Sequence, residues 1–68
     1  MELIDKLVKN MDERRLALNW SMEDLARAAN IPYSTVSKIR QKVVKDPSLK
    51  TAVAIAKALH CTVDKLIR

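Results

Sequence analysis

Apolar residues recur at intervals of three and four through most of this chain, the period of helices that bury one face. The pattern predicts five helices, with bounds near 2–18, 22–30, 32–41, 49–59 and 63–68. The β-branched pieces at 33–36 and 42–44 are short and lack flanking hairpin turn residues. We therefore expect an all-α fold. A chain of 68 residues can build only one core, so residues 1–68 form a single domain.

Capping residues mark most of the predicted helix ends. Ser21 suits the N-cap of the second helix, and Ser48 and Thr62 occupy the same position before the fourth and fifth helices. Asn19 and Asn30 fall where the first and second helices should end, and Asn tolerates a left-handed backbone better than most residues. The second and third helices are consequently separated by a tight turn.

Each predicted helix has its own apolar face. The first should bury Leu3, Leu7, Met11 and Leu18, with Trp20 under the second helix. The second should bury Leu25, Ala26 and Ala29, and the third only Val36 and Ile39. The fourth is apolar nearly all round, which predicts a central helix: Leu49, Ala52, Val53, Ile55, Ala56 and Leu59. In the last helix, Val63, Leu66 and Ile67 can cover the core or bind a partner.

The third helix should expose a mixed polar face. Its members combine hydroxyls, an aromatic tip, an amide and a cation: Tyr33, Ser34, Thr35, Ser37, Lys38 and Gln41. Side chains of this kind, near the start of a helix, can read base edges in the major groove of double-stranded DNA. A solvated helix face of ordinary composition is the alternative.

The distribution of charge favours the nucleic-acid interpretation. The net charge is +5, but residues 1–31 carry five cations against six acids, whereas residues 32–68 carry eight against two. Four cations without an acid follow the exposed face, where flanking phosphates would lie: Lys38, Arg40, Lys42 and Lys45. A membrane surface would need larger apolar side chains beside this basic segment than Val43 and Val44.

Other chemistry finds little support in the residues. His60 and Cys61 are adjacent and lack further ligands, so we expect no metal site, and no glycine loop exists to cradle a phosphate. Neighbouring carboxylates diverge around a helix instead of converging on a substrate, and we expect no enzymatic activity, cofactor or small-molecule ligand. The fourth helix is too short to span a membrane. A single cysteine and no secretory segment fit the cytoplasm.

The segment from about Arg15 to Ile67 resembles the lambda-repressor and Cro-like helix-turn-helix family, also called XRE-type. The matching pieces are RLALNWSMEDLA, the Asn-Ile-Pro turn, STVSKI, and DPSLKTAVAIAKALHCTVDKLI, in the order that the family uses. This resemblance implies a compact five-helix fold containing a helix-turn-helix.

The resemblance also assigns roles by position. Base-reading positions fall on Tyr33, Ser34 and Thr35, with further reading or groove-wall positions at Ser37 and Lys38. Phosphate-contacting positions fall on Ser21, Met22, Gln41 and Lys42.

The chain departs from the family pattern in three respects. Met22 replaces a usual Gln and cannot donate a side-chain hydrogen bond to phosphate. The family usually pairs an Arg late in the first helix with an acid late in the third, but here both positions are cations, Arg15 and Arg40. We hypothesise that Arg40 contacts the DNA backbone or is neutralised by Glu13 or Glu23. Asn19, Asn30 and Lys42 replace turn glycines, and Lys42 suggests that the chain after the third helix takes another path.

These observations predict a dimeric transcriptional regulator, most simply a repressor that reads an inverted-repeat operator. Two alternatives remain: a protein-interaction or antitoxin module on the same fold, and the DNA-targeting domain of a longer regulator.

Overall fold

A computed structural model describes residues 2–68, all of whose regular elements are helices. These are α1 (Leu3–Ala17), α2 (Met22–Ala29), α3 (Tyr33–Arg40), α4 (Leu49–Ala58) and α5 (Val63–Leu66). The predicted bounds are confirmed to within one or two residues. The all-α fold of five helices, of the lambda-repressor type, is therefore confirmed.

Side-chain caps and left-handed residues set the helix ends, as predicted. The hydroxyls of Ser21, Ser48 and Thr62 each accept a backbone N–H from the first turn of the helix that follows. Asn19 and Asn30 have φ of 60° and 57° at the ends of α1 and α2. The sequence therefore encodes these ends locally.

The core lies between the five helices, but α4 packs mainly against α2 and α5, so the central position predicted for the fourth helix is wrong. α2 packs against both α3 and α4, and α1 packs against α3 and α5. The side chains with almost no exposed surface come from all five helices: Met11, Leu25, Val36, Ile39, Ile55 and Leu66. The faces predicted for α2 and α3 are confirmed, and Trp20 packs against this core, half-buried.

Two predicted faces need correction. α1 buries Ile4, Leu7, Val8 and Met11, whereas Leu3 and Leu18 are exposed. The buried face of α1 is thus turned away from Leu3, because α5 and the end of α3 lie on the Ile4 side. Leu49, predicted to be core, is 73% exposed at the first position of α4, before that helix reaches its neighbours. Of the apolar residues of α5, only Leu66 is fully buried.

Candidate nucleic-acid interface

α2 and α3 form a helix-turn-helix whose turn is fixed by backbone hydrogen bonds. Asn30, in the left-handed region, ends α2, and the amide of Ile31 donates to the carbonyl of Ala26 over 3.0 Å. Pro32, with φ of −60°, is the N-cap of α3. Because Ile31 also packs against the core, the turn holds the start of α3 at a fixed position relative to α2.

The exposed face of α3 follows from its buried side. Successive helical residues are turned by about 100°, so the side opposite Val36 and Ile39 is defined. Ser34 and Gln41 lie nearest to that opposite side, Lys38 lies beside them, and all three are exposed. The structure thus presents a hydroxyl, an ammonium group and an amide along the outermost line of α3.

The two edges of this face carry the remaining predicted residues. Tyr33, Ser37 and Arg40 follow one edge, and Thr35 lies on the other. Tyr33 is 51% exposed, while Thr35 and Ser37 are half-buried. The side-chain amide of Gln41 donates through Nε2 to the hydroxyl oxygen of Ser37 over 3.0 Å. Ser37 therefore accepts a hydrogen bond within α3 and keeps its own O–H to donate.

The start of α2 is organised by a reciprocal cap. The amide of Asp24 donates to Ser21 Oγ over 3.1 Å, and the amide of Ser21 donates to the Asp24 carboxylate over 2.8 Å. The hydrogen bond from the Ser21 backbone, and after it one from the Ser21 side chain, lower the pKa of the Asp24 carboxyl below its ordinary value. The side chain of Met22 packs against the core. Only its backbone amide, at a helix position without an intrahelical acceptor, is placed to meet an anion.

The cations beside α3 divide into two kinds. Lys38 and Lys45 are exposed and take part in no ion pair among residues 2–68. Arg40 Nε, by contrast, lies 2.5 Å from Asp12 Oδ2, and Lys42 Nζ lies 2.6 Å from Asp5 Oδ1. Half of the predicted basic segment is thus neutralised by carboxylates of α1.

A helix-turn-helix family model matches residues 11–66. The chain belongs to the helix-turn-helix family. It is similar over its whole length, at 32% identity, to two uncharacterised helix-turn-helix-type transcriptional regulators, one from Rickettsia prowazekii (strain Madrid E) and one from Rickettsia conorii (strain ATCC VR-613 / Malish 7). It spans 77% of the first relative's length and 65% of the second's. No solved structure matches the chain significantly.

The second departure from the family's helix-turn-helix pattern, the two cations Arg15 and Arg40, is explained by Asp12. Arg15 Nε and Nη2 lie 3.4 and 3.3 Å from Asp12 Oδ1, while Arg15 Nη1 donates to the carbonyl of Trp20 over 2.8 Å. One carboxylate therefore bridges both arginines, using one oxygen for each. The expected neutralisation of Arg40 is found, but the hypothesis that Glu13 or Glu23 supplies it is wrong.

The turn after α3 corrects another expectation. Lys42 adopts φ of 62°, as a glycine would at this place in the family. The amides of Lys42 and Val43 donate to the carbonyls of Ile39 and Lys38, each over 2.9 Å. These bonds, together with the Asp5 pair, hold a lysine in the left-handed region. The suggestion that the chain takes another path here is therefore wrong.

Sequence reasoning missed the two α1 carboxylates. Asp5 and Asp12 are seven residues apart, so they lie along one edge of α1. The spacing alone could have suggested a shared partner, but not which cations would face it. The hydrogen bond from Lys42 lowers the pKa of Asp5, with a further contribution from the backbone of Glu2.

None of the helices within residues 2–68 combines the length and apolar character that a membrane crossing demands. No group of three or more His, Cys, Asp or Glu side chains in that part of the chain could hold a metal ion. His60 and Cys61 lie at the end of α4, where His60 has φ of 59°.

Proposed function

We propose that this protein binds double-stranded DNA in a sequence-dependent manner and regulates transcription, most simply as a repressor that occupies an operator. The observation that carries the proposal is the polar face of α3, which is exposed on a helix otherwise anchored by Val36 and Ile39. Membership of the helix-turn-helix family supports the same function. In that family's motif, the second helix enters the major groove with its first residues at base edges.

Base contacts belong to five side chains in this proposal: Tyr33, Ser34, Thr35, Ser37 and Lys38. Hydroxyls can donate or accept and so suit several base edges, whereas a lysine prefers the acceptors of guanine. The exposure of Ser34 and Lys38 favours them as central readers. Thr35 and Ser37 are half-buried and fit positions nearer the groove wall.

Backbone contacts belong to residues at both ends of the motif. At the start of α2 the amides of Ser21 and Met22 are candidates, although the Ser21 amide already donates to Asp24. After α3, Gln41 and Lys45 are exposed. Arg40 and Lys42 lie beside them but are paired with α1 carboxylates. We therefore rank Gln41 and Lys45 above Arg40 and Lys42 as phosphate ligands.

A dimer completes the proposed mechanism, because two copies can place their α3 helices in successive major grooves about 34 Å apart. We assign its interface to the apolar groove between the starts of α1 and α4 and the end of α5. Leu3 and Leu49 are exposed there beside Val63 and Ile67.

Selection of bound sites from a random duplex library tests this function. We expect enrichment of an inverted repeat whose half-site centres are about 10 base pairs apart, or a multiple of that. Affinity for the selected site should fall steeply with salt, since each neutralised phosphate contributes about −0.9 to the slope of log affinity against log salt. A library that shows no enrichment, with binding that does not depend on salt, would contradict the proposal. Enrichment of a single half-site would contradict only the dimer.

A further inference from the structure

Two carboxylates of α1 face the cations at the end of α3. Asp12 is paired with Arg40 and Asp5 with Lys42, and the two acids lie along one edge of α1. The cations are two residues apart at the point where α3 turns into the following loop. The acidic edge of α1 therefore lies alongside the basic end of the helix that we propose to enter the groove.

The Asp12 pair is held in place by a third residue. Arg15 contacts the other oxygen of Asp12 and is itself fixed to the Trp20 carbonyl. The side chains of Arg15 and Asp12 are only 12% and 17% exposed, whereas that of Arg40 is 48% exposed. Arg15 thus holds Asp12 at the α3 side of α1 independently of Arg40.

A phosphate that approaches Arg40 or Lys42 therefore also meets a carboxylate. At about 0.1 M salt the screening length is about 10 Å, much longer than the separation within either pair. The Asp5–Lys42 pair then acts on a phosphate as a nearly neutral unit, and Asp12 leaves one net positive charge on Arg15 and Arg40 together instead of two. Each carboxylate therefore removes about one cation's share of counterion release. Lys38 and Lys45, which have no such partner among residues 2–68, keep their full attraction.

We propose that Asp5 and Asp12 determine specificity by suppressing the sequence-independent attraction of Arg40 and Lys42 to the DNA backbone. Discrimination between sequences then depends on the base-contacting side chains of α3. This inference rests on the proposed DNA binding. Asp5 and Asp12 are positioning residues: they act through the two cations and touch no DNA.

The test compares salt dependence on a mixed-sequence duplex that contains no selected site. Asp12→Asn should steepen the slope of log affinity against log salt by up to about 0.9, and Asp5→Asn should do the same, because each frees one cation. The double variant should show about twice that change. The ratio of affinities for selected and mixed duplexes should fall in every case.

Glu13→Gln is the matched control. It removes one negative charge from the same helix at an exposed residue that takes part in no ion pair among residues 2–68. Its slope should match that of the wild type. In Asp12→Asn, the additional change Arg40→Gln should return the slope to the wild-type value, because the freed cation is then gone.

Thermal unfolding of each variant guards against loss of the fold. Asp5→Asn changes the more exposed pair and keeps the test valid if Asp12→Asn does not fold. Equal slopes for the wild type, Asp5→Asn and the control would overturn the inference while leaving DNA binding intact. An equal rise for Glu13→Gln would assign the effect to net charge and overturn it as well. Failure of the wild type to bind any duplex would instead overturn the proposed function, and the inference with it.

Discussion

Ser34 is the side chain on which the proposed base reading depends most. It lies opposite the buried Val36 and Ile39, in the first turn of α3, and is exposed. Its hydroxyl can donate and accept, but it carries no charge that would attract phosphates of any sequence. A contact from Ser34 should therefore affect binding affinity through one base pair only.

We expect Ser34→Ala to cost about 1–3 kcal/mol of binding free energy at the matching base pair and little elsewhere. Titration of the selected duplex and of its single-base variants measures this, because the alanine protein should no longer distinguish them at one position.

Lys45→Ala provides the contrast. Lys45 is an exposed cation in the loop after α3, so its loss should weaken all duplexes alike and reduce the salt slope by about 0.9. If both variants lost affinity equally on selected and scrambled duplexes, Ser34 would have no reading role.

At the same scale, some backbone conformations were predictable and others were not. Asn19 and Asn30 signalled left-handed residues because their short polar side chains tolerate that region. Lys42 and His60 adopt the same conformation, with φ of 62° and 59°. A lysine gives no such signal, and at both residues the hydrogen bonds of the surrounding turns hold the conformation.

At the scale of elements, the helices could be predicted from period and caps, but the buried face of α1 could not. Leu3, Leu7 and Met11 recur at helical spacing, and so do Ile4, Val8 and Met11, so the apolar pattern alone allows two rotations of the helix. Packing against α3 and α5 selects the Ile4 side. Burial of α2 and α3 was predictable because each has one narrow apolar stripe.

The cap of α2 makes the stability of the fold depend on pH in the acid range. The pKa of Asp24 is lower in the folded protein than its ordinary value of 3.8. The ionised carboxylate therefore makes its full contribution to the free energy of unfolding above pH 3.8, and this contribution is lost as the pH falls through the folded-state pKa. Asp24→Asn should therefore flatten the decline in the free energy of unfolding between about pH 5 and pH 2. Urea unfolding at a series of pH values measures the effect.

Glu23→Gln is the control for this prediction. Glu23 is a carboxylate in the same first turn of α2, but it takes no part in the cap. Its acid profile should stay closer to that of the wild type than the profile of Asp24→Asn. Identical profiles for Asp24→Asn and the wild type would show that the cap does not couple stability to pH.

At the scale of the whole molecule, the ion pairs between α1 and α3 join residues far apart in the sequence. The charge imbalance between the two halves was visible in the sequence, and it indicated a free basic segment after α3. The fold brings Asp5 and Asp12 to that segment, so half of its cations are paired. Sequence reasoning could not find this, because it depends on how α1 is rotated against α3.

The proposed dimer leads to a prediction about Leu49. This side chain is 73% exposed on the groove shared by α1, α4 and α5. Leu49→Glu should shift the protein toward monomer, because a buried unpaired carboxylate at a two-fold interface is unfavourable and meets its own copy. Sedimentation equilibrium over a range of concentrations measures the change.

Leu16→Glu is the matched control, since Leu16 is 63% exposed near the other end of α1 and lies outside the groove. It should leave the association constant unchanged. A wild-type protein that stays monomeric at all concentrations, including on the selected duplex, would contradict the dimer and favour a groove that binds a different protein.

The central claim, that the exposed face of α3 meets DNA, is tested most directly by mapping amide chemical shifts during titration with the selected duplex. We predict the largest changes in residues 33–41 and at the start of α2, with small changes along the groove-lining part of α4. Changes concentrated in α1, α4 or α5 while α3 stays unperturbed would contradict the account.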